Sequence, residues 1–339
     1  MNIAPPPGGI PVVLVTGFLG SGKTTLLARL LRRPELARSA VIINEFGAVG
    51  LDHDLIERAD DDVVELAGGC VCCSQRGELG QTLARLRERR EAGSVAAFER
   101  VLIETTGLAD PAPILRDFLA DAWLADTYRF DGVITTVDAV HGLGTLEREP
   151  EARAQAAFAD RLLLTKADVA PSAAIDALRE RLAALNPGVV PLAVAAGEVA
   201  PEALFGAAVR DPRATREQVE RWLGARGFVG WRIAASEPNR HGPDIRAQVL
   251  VREAPLPAAV FRGFFDLLLE ARRDDLLRVK GLVNIAGAPG PLLVHGVQGS
   301  FEPLLPLAGW PGGDRRTRLV FITRGISGAW IEGLLRSFE

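Results

Sequence analysis

Apolar residues in this chain gather in short runs separated by longer stretches of helical period. The runs at 12–15, 40–43, 63–66, 101–103, 132–137, 161–164 and 190–194 are too short for helices and too continuously apolar for strands with one wet face. They predict buried strands. Between several of them lie helix-length segments at 23–33, 78–90, 111–119 and 172–185, so the rhythm is βαβ and the expected sheet is mostly parallel, covered on both faces. This first unit is expected to occupy residues 1–195. From 196 to 242 the pattern weakens, with Pro201, Pro212, Pro238 and a charged stretch at 213–221 that suits one helix, and it reads as a connector. A second unit is expected over 243–339: strand 245–252, helix 257–272, strands near 277–286, 292–298 and 318–322, and helix 327–338. That order suits a smaller α+β domain, an open sheet with helices on one face.

Composition narrows the classes. The chain has 339 residues, 48% of them hydrophobic, and a formal charge of −4. That excludes a single small domain and argues against a nucleic-acid partner. No run reaches the roughly 18 apolar residues that a membrane span requires, and residues 1–11 carry no basic residue and no apolar targeting core. A cytoplasmic location without membrane attachment is the expectation. Lys is nearly absent: of 39 basic residues only Lys23, Lys166 and Lys280 are lysines. The first two fall in motifs where a compact ammonium is not easily replaced by a forked guanidinium.

Those motifs carry the chemistry. Gly17-Phe18-Leu19-Gly20-Ser21-Gly22-Lys23-Thr24 fits G-x-x-x-x-G-K-[ST] between a predicted strand and a predicted helix, which is a P-loop. Gly17, Gly20, Ser21, Gly22, Lys23, Thr24 and Thr25 are therefore the expected phosphate-binding residues. Lys23 would reach the β and γ phosphates and Thr24 would hold Mg²⁺. At 101–107, an apolar run ends in Glu104, followed by Gly107. An acid at that place holds Mg²⁺, directly or through water, or orients the attacking water, while Gly107 lets its N–H approach the γ-phosphate. Lys23 and Glu104 are the expected catalytic residues. At 165–168, Thr165-Lys166-Ala167-Asp168 is similar to the N-K-x-D guanine element, in which a carboxylate accepts from N1–H and the exocyclic amine of guanine at once. GTP and GDP are the expected nucleotides. Thr165 stands where the element has Asn, so an amide that would contact the base or brace the P-loop is lost. The polar, glycine-punctuated segment 44–52 reads as a loop that senses the nucleotide.

All three cysteines of the chain, Cys70, Cys72 and Cys73, fall within four positions behind Gly68-Gly69. They are too close together to staple a fold, and three thiolates form a soft site for Zn²⁺, Co²⁺ or a similar ion. A fourth position is left for Glu45, water or a partner's ligand. The histidines, His53, His141, His241 and His295, are scattered and read as structural.

Taken together, GFLGSGKTT, NEFGAVGLD, GGCVCC, LIETTGLADP, TKAD, RVKG (278–281) and HGVQ (295–298) resemble the CobW family of P-loop GTPases over nearly the whole chain. The resemblance implies a GTPase domain followed by a smaller domain, akin to the urease and hydrogenase accessory GTPases. It also implies a metallochaperone that delivers Zn, Co or Fe to a client metalloprotein or insertion complex. Nucleotide ligands would be Gly17 to Thr25, Glu104, Lys166 and Asp168, with metal ligands among the three cysteines. This chain departs from the family at Thr165 and in lacking a His-rich stretch. The rival readings are a metal-responsive GTP-binding regulator without a delivery role and a small-molecule P-loop kinase. The sequence leaves dimerisation as a homodimer open and gives RVKG and HGVQ no chemistry.

Overall fold

The computed structural model describes residues 9–43, 78–206, 209, 212–223, 245–301 and 303–339. The predicted strand at 63–66, the loop at 44–52 with Glu45, and Cys70, Cys72 and Cys73 lie outside the described residues. So do His53 and His241.

In chain order the first elements are β1 (Ile10–Gly17), α1 (Lys23–Leu30), β2 (Ser39–Ile43), α2 (Glu78–Glu91) and β3 (Arg100–Glu104). Next come α3 (Pro111–Ala120), α4 (Ala122–Thr127), β4 (Tyr128–Asp138), α5 (Gly142–Arg148) and α6 (Pro150–Phe158). Then follow β5 (Arg161–Thr165), α7 (Ser172–Leu185), β6 (Leu192–Ala193) and α8 (Pro201–Leu204). The remaining elements are α9 (Arg216–Leu223), β7 (Ile245–Arg252), α10 (Ala258–Arg272), β8 (Leu276–Val283), β9 (Leu292–Val297), β10 (Ser300–Phe301), β11 (Leu305–Pro306), β12 (Thr317–Arg324) and α11 (Gly328–Arg336). None of the helices among the described residues is long and apolar enough to cross a membrane. By contacts the chain divides into two units, Met1–Glu180 with Pro191–Ala208 and Arg181–Val190 with Val209–Glu339.

The first unit is a parallel sheet in the order β2-β3-β1-β4-β5-β6. Every residue of β1 is buried, because both faces are covered. Val13 and Val15 join Leu26, Leu27 and Leu30 of α1 in one core, while Val12 and Leu14, also buried, face the opposite side. There α6 packs on β1 and β4, and α3 on α6. Among the described strands of this sheet, β6 departs from the expected buried strand: it is a two-residue edge strand with both Leu192 and Ala193 exposed. The helices α4, α5, α6 and α8 are too short to show a clear 3.6-residue period and were not predicted.

Parallel strands end at the same edge, so their C-terminal loops gather there. β1 pairs Val15 with Glu104 and Gly17 with Thr136, and β4 pairs Asp138 with Thr165. β1 is the strand at which the order reverses, the place where open α/β sheets form their ligand crevice.

The second unit is antiparallel, in the order β10-β9-β8-β12-β7 with β11 on β9. Phe261, Phe264, Phe265 and Leu268 of α10, with Ile331 and Leu335 of α11, pack on Leu250, Val279, Val294, Leu319 and Phe321. The expectation of helices on one face needs correcting. The opposite face is covered by α9, whose Val219, Trp222 and Leu223 meet Leu282, Leu293 and Leu307. Part of the segment read as a connector is thus core: its charged stretch hides apolar residues at i, i+3 and i+4, one helical stripe. Trp222 has the Lys280 ammonium 4.6 Å from its ring centroid and His295 at its edge, 6.1 Å away, which gives RVKG and HGVQ a packing role.

Trp222→Ala is expected to lower the stability of the second unit by about 3–5 kcal/mol, read from urea unfolding. A loss under ~0.5 kcal/mol would mean that α9 contributes no core.

Candidate functional site

The loop between β1 and α1 turns in a way that side chains obstruct. Gly17 (φ 143) and Gly22 (φ 90) both have left-handed backbone. A Cβ on Gly17 would collide with Thr136 and come within 2.7 Å of Ser21 Oγ. Gly22 caps α1, so the helix begins at Lys23 with its first N–H groups directed into the loop. Lys23 is 8% exposed and its Nζ donates to the carbonyls of Gly17 at 2.8 Å and Phe18 at 3.2 Å. Thr25, in the same first turn, is exposed.

Side chains from the ends of two other strands hold this loop. Ser21 Oγ shares a 2.7 Å hydrogen bond with Thr136 Oγ1, at the end of β4. Thr165 Oγ1 donates to the Ser21 carbonyl at 2.7 Å. Lys166 Nζ donates to the Gly20 carbonyl at 3.0 Å and to Asp138 Oδ2 at 2.7 Å. The loss expected from Thr in place of Asn is therefore corrected in part: the hydroxyl makes the brace, needing only one donor where an amide has two. Lys166 has φ 56, left-handed for a side-chain-bearing residue, a strained turn that sends the chain outward and leaves Asp168 exposed.

On the other side of β1, Thr24 Oγ1 donates to Glu104 Oε1 at 2.8 Å, with Glu104 only 3% exposed. A hydroxyl and a carboxylate are hard oxygen donors of the kind Mg²⁺ takes, and the pair fits that ion. Gly107 lies directly against the P-loop, and a Cβ there would sit 2.7 Å from Leu19 N. A cavity of ≈ 280 Å³ opens beside the P-loop, bounded by Leu19, Thr136, Asp138, Gln155 and Lys166 among others. Among the described residues no group of three or more His, Cys, Asp or Glu is arranged to hold a metal.

Three contributors were not found from sequence. Thr136 and Asp138 lie at the C-terminal end of β4, and a carboxylate directly after the strand-forming run at 132–137 is a usable signal. Asp138 is held tightly: Oδ1 accepts from the N–H groups of Val140 at 2.7 Å and His141 at 3.2 Å. Burial pushes its carboxyl up, but the Lys166 bond and these two N–H groups outweigh it and hold it below the usual carboxylate range. Gln155, buried in α6, has no such signal.

Comparison with known proteins agrees with this architecture. Residues 11–191 match the CobW/HypB/UreG nucleotide-binding domain and residues 245–339 the cobalamin synthesis protein cobW C-terminal domain. The chain is 36% identical over 326 residues to the zinc chaperone YjiA of Escherichia coli, covering 94% of each. It is 32% identical to the zinc chaperone CobW of Pseudomonas aeruginosa, covering 97% of this chain and 91% of that one. The crystal structure of Zn(II)-bound YjiA GTPase from E. coli is similar with a TM-score of 0.70 at 32% identity, over 98% of this chain and 99% of that one.

The Asp138 cluster gives a pH-dependent prediction. Because its carboxyl is held low in the fold, the stability it contributes is complete above the unfolded carboxylate value, about pH 4. It disappears as pH falls through the lower folded value. Asp138→Asn should therefore be less stable than wild type by about 1 kcal/mol near pH 7, with the gap closing on acidification, measured by urea unfolding across pH. A gap that grew below pH 4 would contradict the assignment.

Proposed function

This chain belongs to the CobW family of P-loop GTPases, and from that premise we propose that it hydrolyses GTP to control delivery of zinc to a client metalloprotein. The observation that carries the reading is the convergence of two other motifs on the P-loop: Glu104 on Thr24, Thr165 on the Ser21 carbonyl and Lys166 on the Gly20 carbonyl. A loop braced from both flanks keeps its N–H groups aimed inward, which is the preorganisation that phosphoryl transfer requires.

In this reading Gly17 to Thr25 surround the phosphates of GTP. The Lys23 ammonium, now on the carbonyls of Gly17 and Phe18, neutralises charge on the β and γ phosphates. Gly107 offers its N–H to the γ-phosphate. Thr24 and Glu104 would hold Mg²⁺, which neutralises further phosphate charge when bound. Glu104, buried at the end of β3, would also orient the attacking water. Asp168 and Lys166 would contact guanine. No arginine finger is identifiable in the sequence, so basal turnover should be slow without a client.

The cargo would bind to Cys70, Cys72 and Cys73, with the fourth position left to Glu45, water or a partner's ligand. Zinc is favoured over cobalt and iron because the similar proteins from E. coli and P. aeruginosa are named zinc chaperones. An incomplete thiolate shell suits release better than storage. The working location is the cytoplasm. The rival, a metal-responsive GTP-binding regulator, would bind both ligands and deliver nothing.

Asp168→Asn should weaken GTP binding while leaving ATP binding nearly unchanged, since it breaks the paired acceptor for N1–H and the amine. In a competition titration, wild-type protein that already prefers ATP would defeat the guanine assignment.

Metal titrations in the presence of Mg²⁺ and either GDP or a non-hydrolysable GTP analogue test delivery. Zinc affinity should differ between the two nucleotide states by roughly 5- to 150-fold, the usual range of coupling. Cys72→Ser should lose most zinc affinity yet still bind GTP, because a hydroxyl is a harder and far less acidic ligand than a thiol. Equal affinities in the two states would remove the delivery mechanism, since hydrolysis could not then release the metal.

A further inference from the structure

Gln155 lies in α6 with none of its surface exposed, and its side chain is directed at the loop that follows β3. Nε2 donates to the carbonyls of Gly107 and Ala109, each at 3.0 Å. Two carbonyl acceptors fix the orientation of the carboxamide, because only its NH₂ end carries two donors. The backbone carbonyl of Gln155 accepts from Thr135 Oγ1 at 2.8 Å, which ties this turn of α6 to β4. Gly107 is thus held from one side by Gln155 and abuts Leu19 of the P-loop on the other, where a Cβ would lie 2.8 Å from Leu19 Cα. The rest of the loop is pinned by Thr105 N–H to the Val15 carbonyl at 3.0 Å and Ala109 N–H to the Thr106 carbonyl at 3.1 Å.

Packing does not account for an amide in this place. Gln155 Oε1 is buried and has no hydrogen-bond partner among the described residues. A buried acceptor left in that condition destabilises a fold, and a leucine of similar volume would fill the space without that loss. What leucine cannot supply is the pair of donors to Gly107 and Ala109.

We infer that Gln155 is a positioning residue for hydrolysis. By fixing the carbonyls of Gly107 and Ala109, it aims the Gly107 N–H at the γ-phosphate position beside Leu19, and so sets the preference for GTP over GDP. The inference rests on the GTPase reading above. It concerns only the γ-phosphate: GDP makes no demand on Gly107, so GDP affinity is independent of Gln155.

The test uses Gln155→Leu and Gln155→Met, which keep the volume and remove the donors; the more adaptable methionine serves if the leucine variant does not fold. Both should bind GDP within about twofold of wild type. Single-turnover GTP cleavage should slow by about 10- to 100-fold, the scale of effect expected when a reacting group is displaced by ~1 Å. Affinity for a non-hydrolysable GTP analogue should fall relative to GDP. Wild-type cleavage with an unchanged analogue-to-GDP affinity ratio would overturn the inference. Equal losses of GDP and analogue affinity would also overturn it, since Gln155 would then be structural. Lys23→Ala, run alongside, separates the premise from the inference. Cleavage that survives in Lys23→Ala defeats the GTPase assignment of this site, while the affinity ratio, which needs no turnover, still judges Gln155.

Discussion

The hydrogen bond from the Thr165 hydroxyl to the Ser21 carbonyl joins segments 144 residues apart, and the rest of the site depends on bonds of this kind. A loop that turns its N–H groups inward must turn its carbonyls outward. Those carbonyls need partners of their own or the loop relaxes. Here most of the partners are side chains, Lys23 on Gly17 and Phe18, Lys166 on Gly20 and Thr165 on Ser21, while the Ser21 N–H also donates to the Phe18 carbonyl. The shape of the loop is thereby set by the sheet, because parallel strands bring the ends of β4 and β5 to the same edge as the end of β1.

The presence of lysine at positions 23 and 166, in a chain whose other basic residues are nearly all arginine, has a physical reason in the same geometry. Lys23 and Lys166 each place one ammonium between two acceptors on different parts of the loop or sheet. A rotating NH₃⁺ group meets two such acceptors at one point, whereas a planar guanidinium spreads its donors over a fork. Lys280 differs in kind, with its ammonium over the Trp222 ring. It shares the covered face of the second sheet with buried Arg278 and His295, a polar patch roofed by α9.

The loop at 105–109 and the residue before it are held by side chains and backbone from other elements. Glu104 is oriented through Thr24, and Gly107 is pressed between Leu19 and Gln155. Each support comes from a different element, so the placement of Glu104 and Gly107 reflects the packing of the whole first unit. The strained turn at Lys166 belongs to the same logic. Its left-handed backbone persists because Gly20 and Asp138 hold the side chain beyond it.

The sequence by itself determined the continuous apolar strands of the first unit and the P-loop, and it placed Glu104 and Thr165–Asp168 at strand ends. Those features depend on local spacing and on chemistry that few residue types can supply. It also determined the cysteine cluster as a candidate, since adjacency is a sequence property. Tertiary structure alone decided that Thr165 braces the loop in place of Asn, that Asp138 anchors Lys166, and that Trp222 is core rather than linker. Gln155 belongs with these, as an amide in an alanine-rich helix whose role appears only when α6 is laid against β1 and β4. The physical reason is common to all four. A hydrogen bond or a buried contact is defined by what stands opposite the side chain, and here the opposing residue comes from a distant part of the chain.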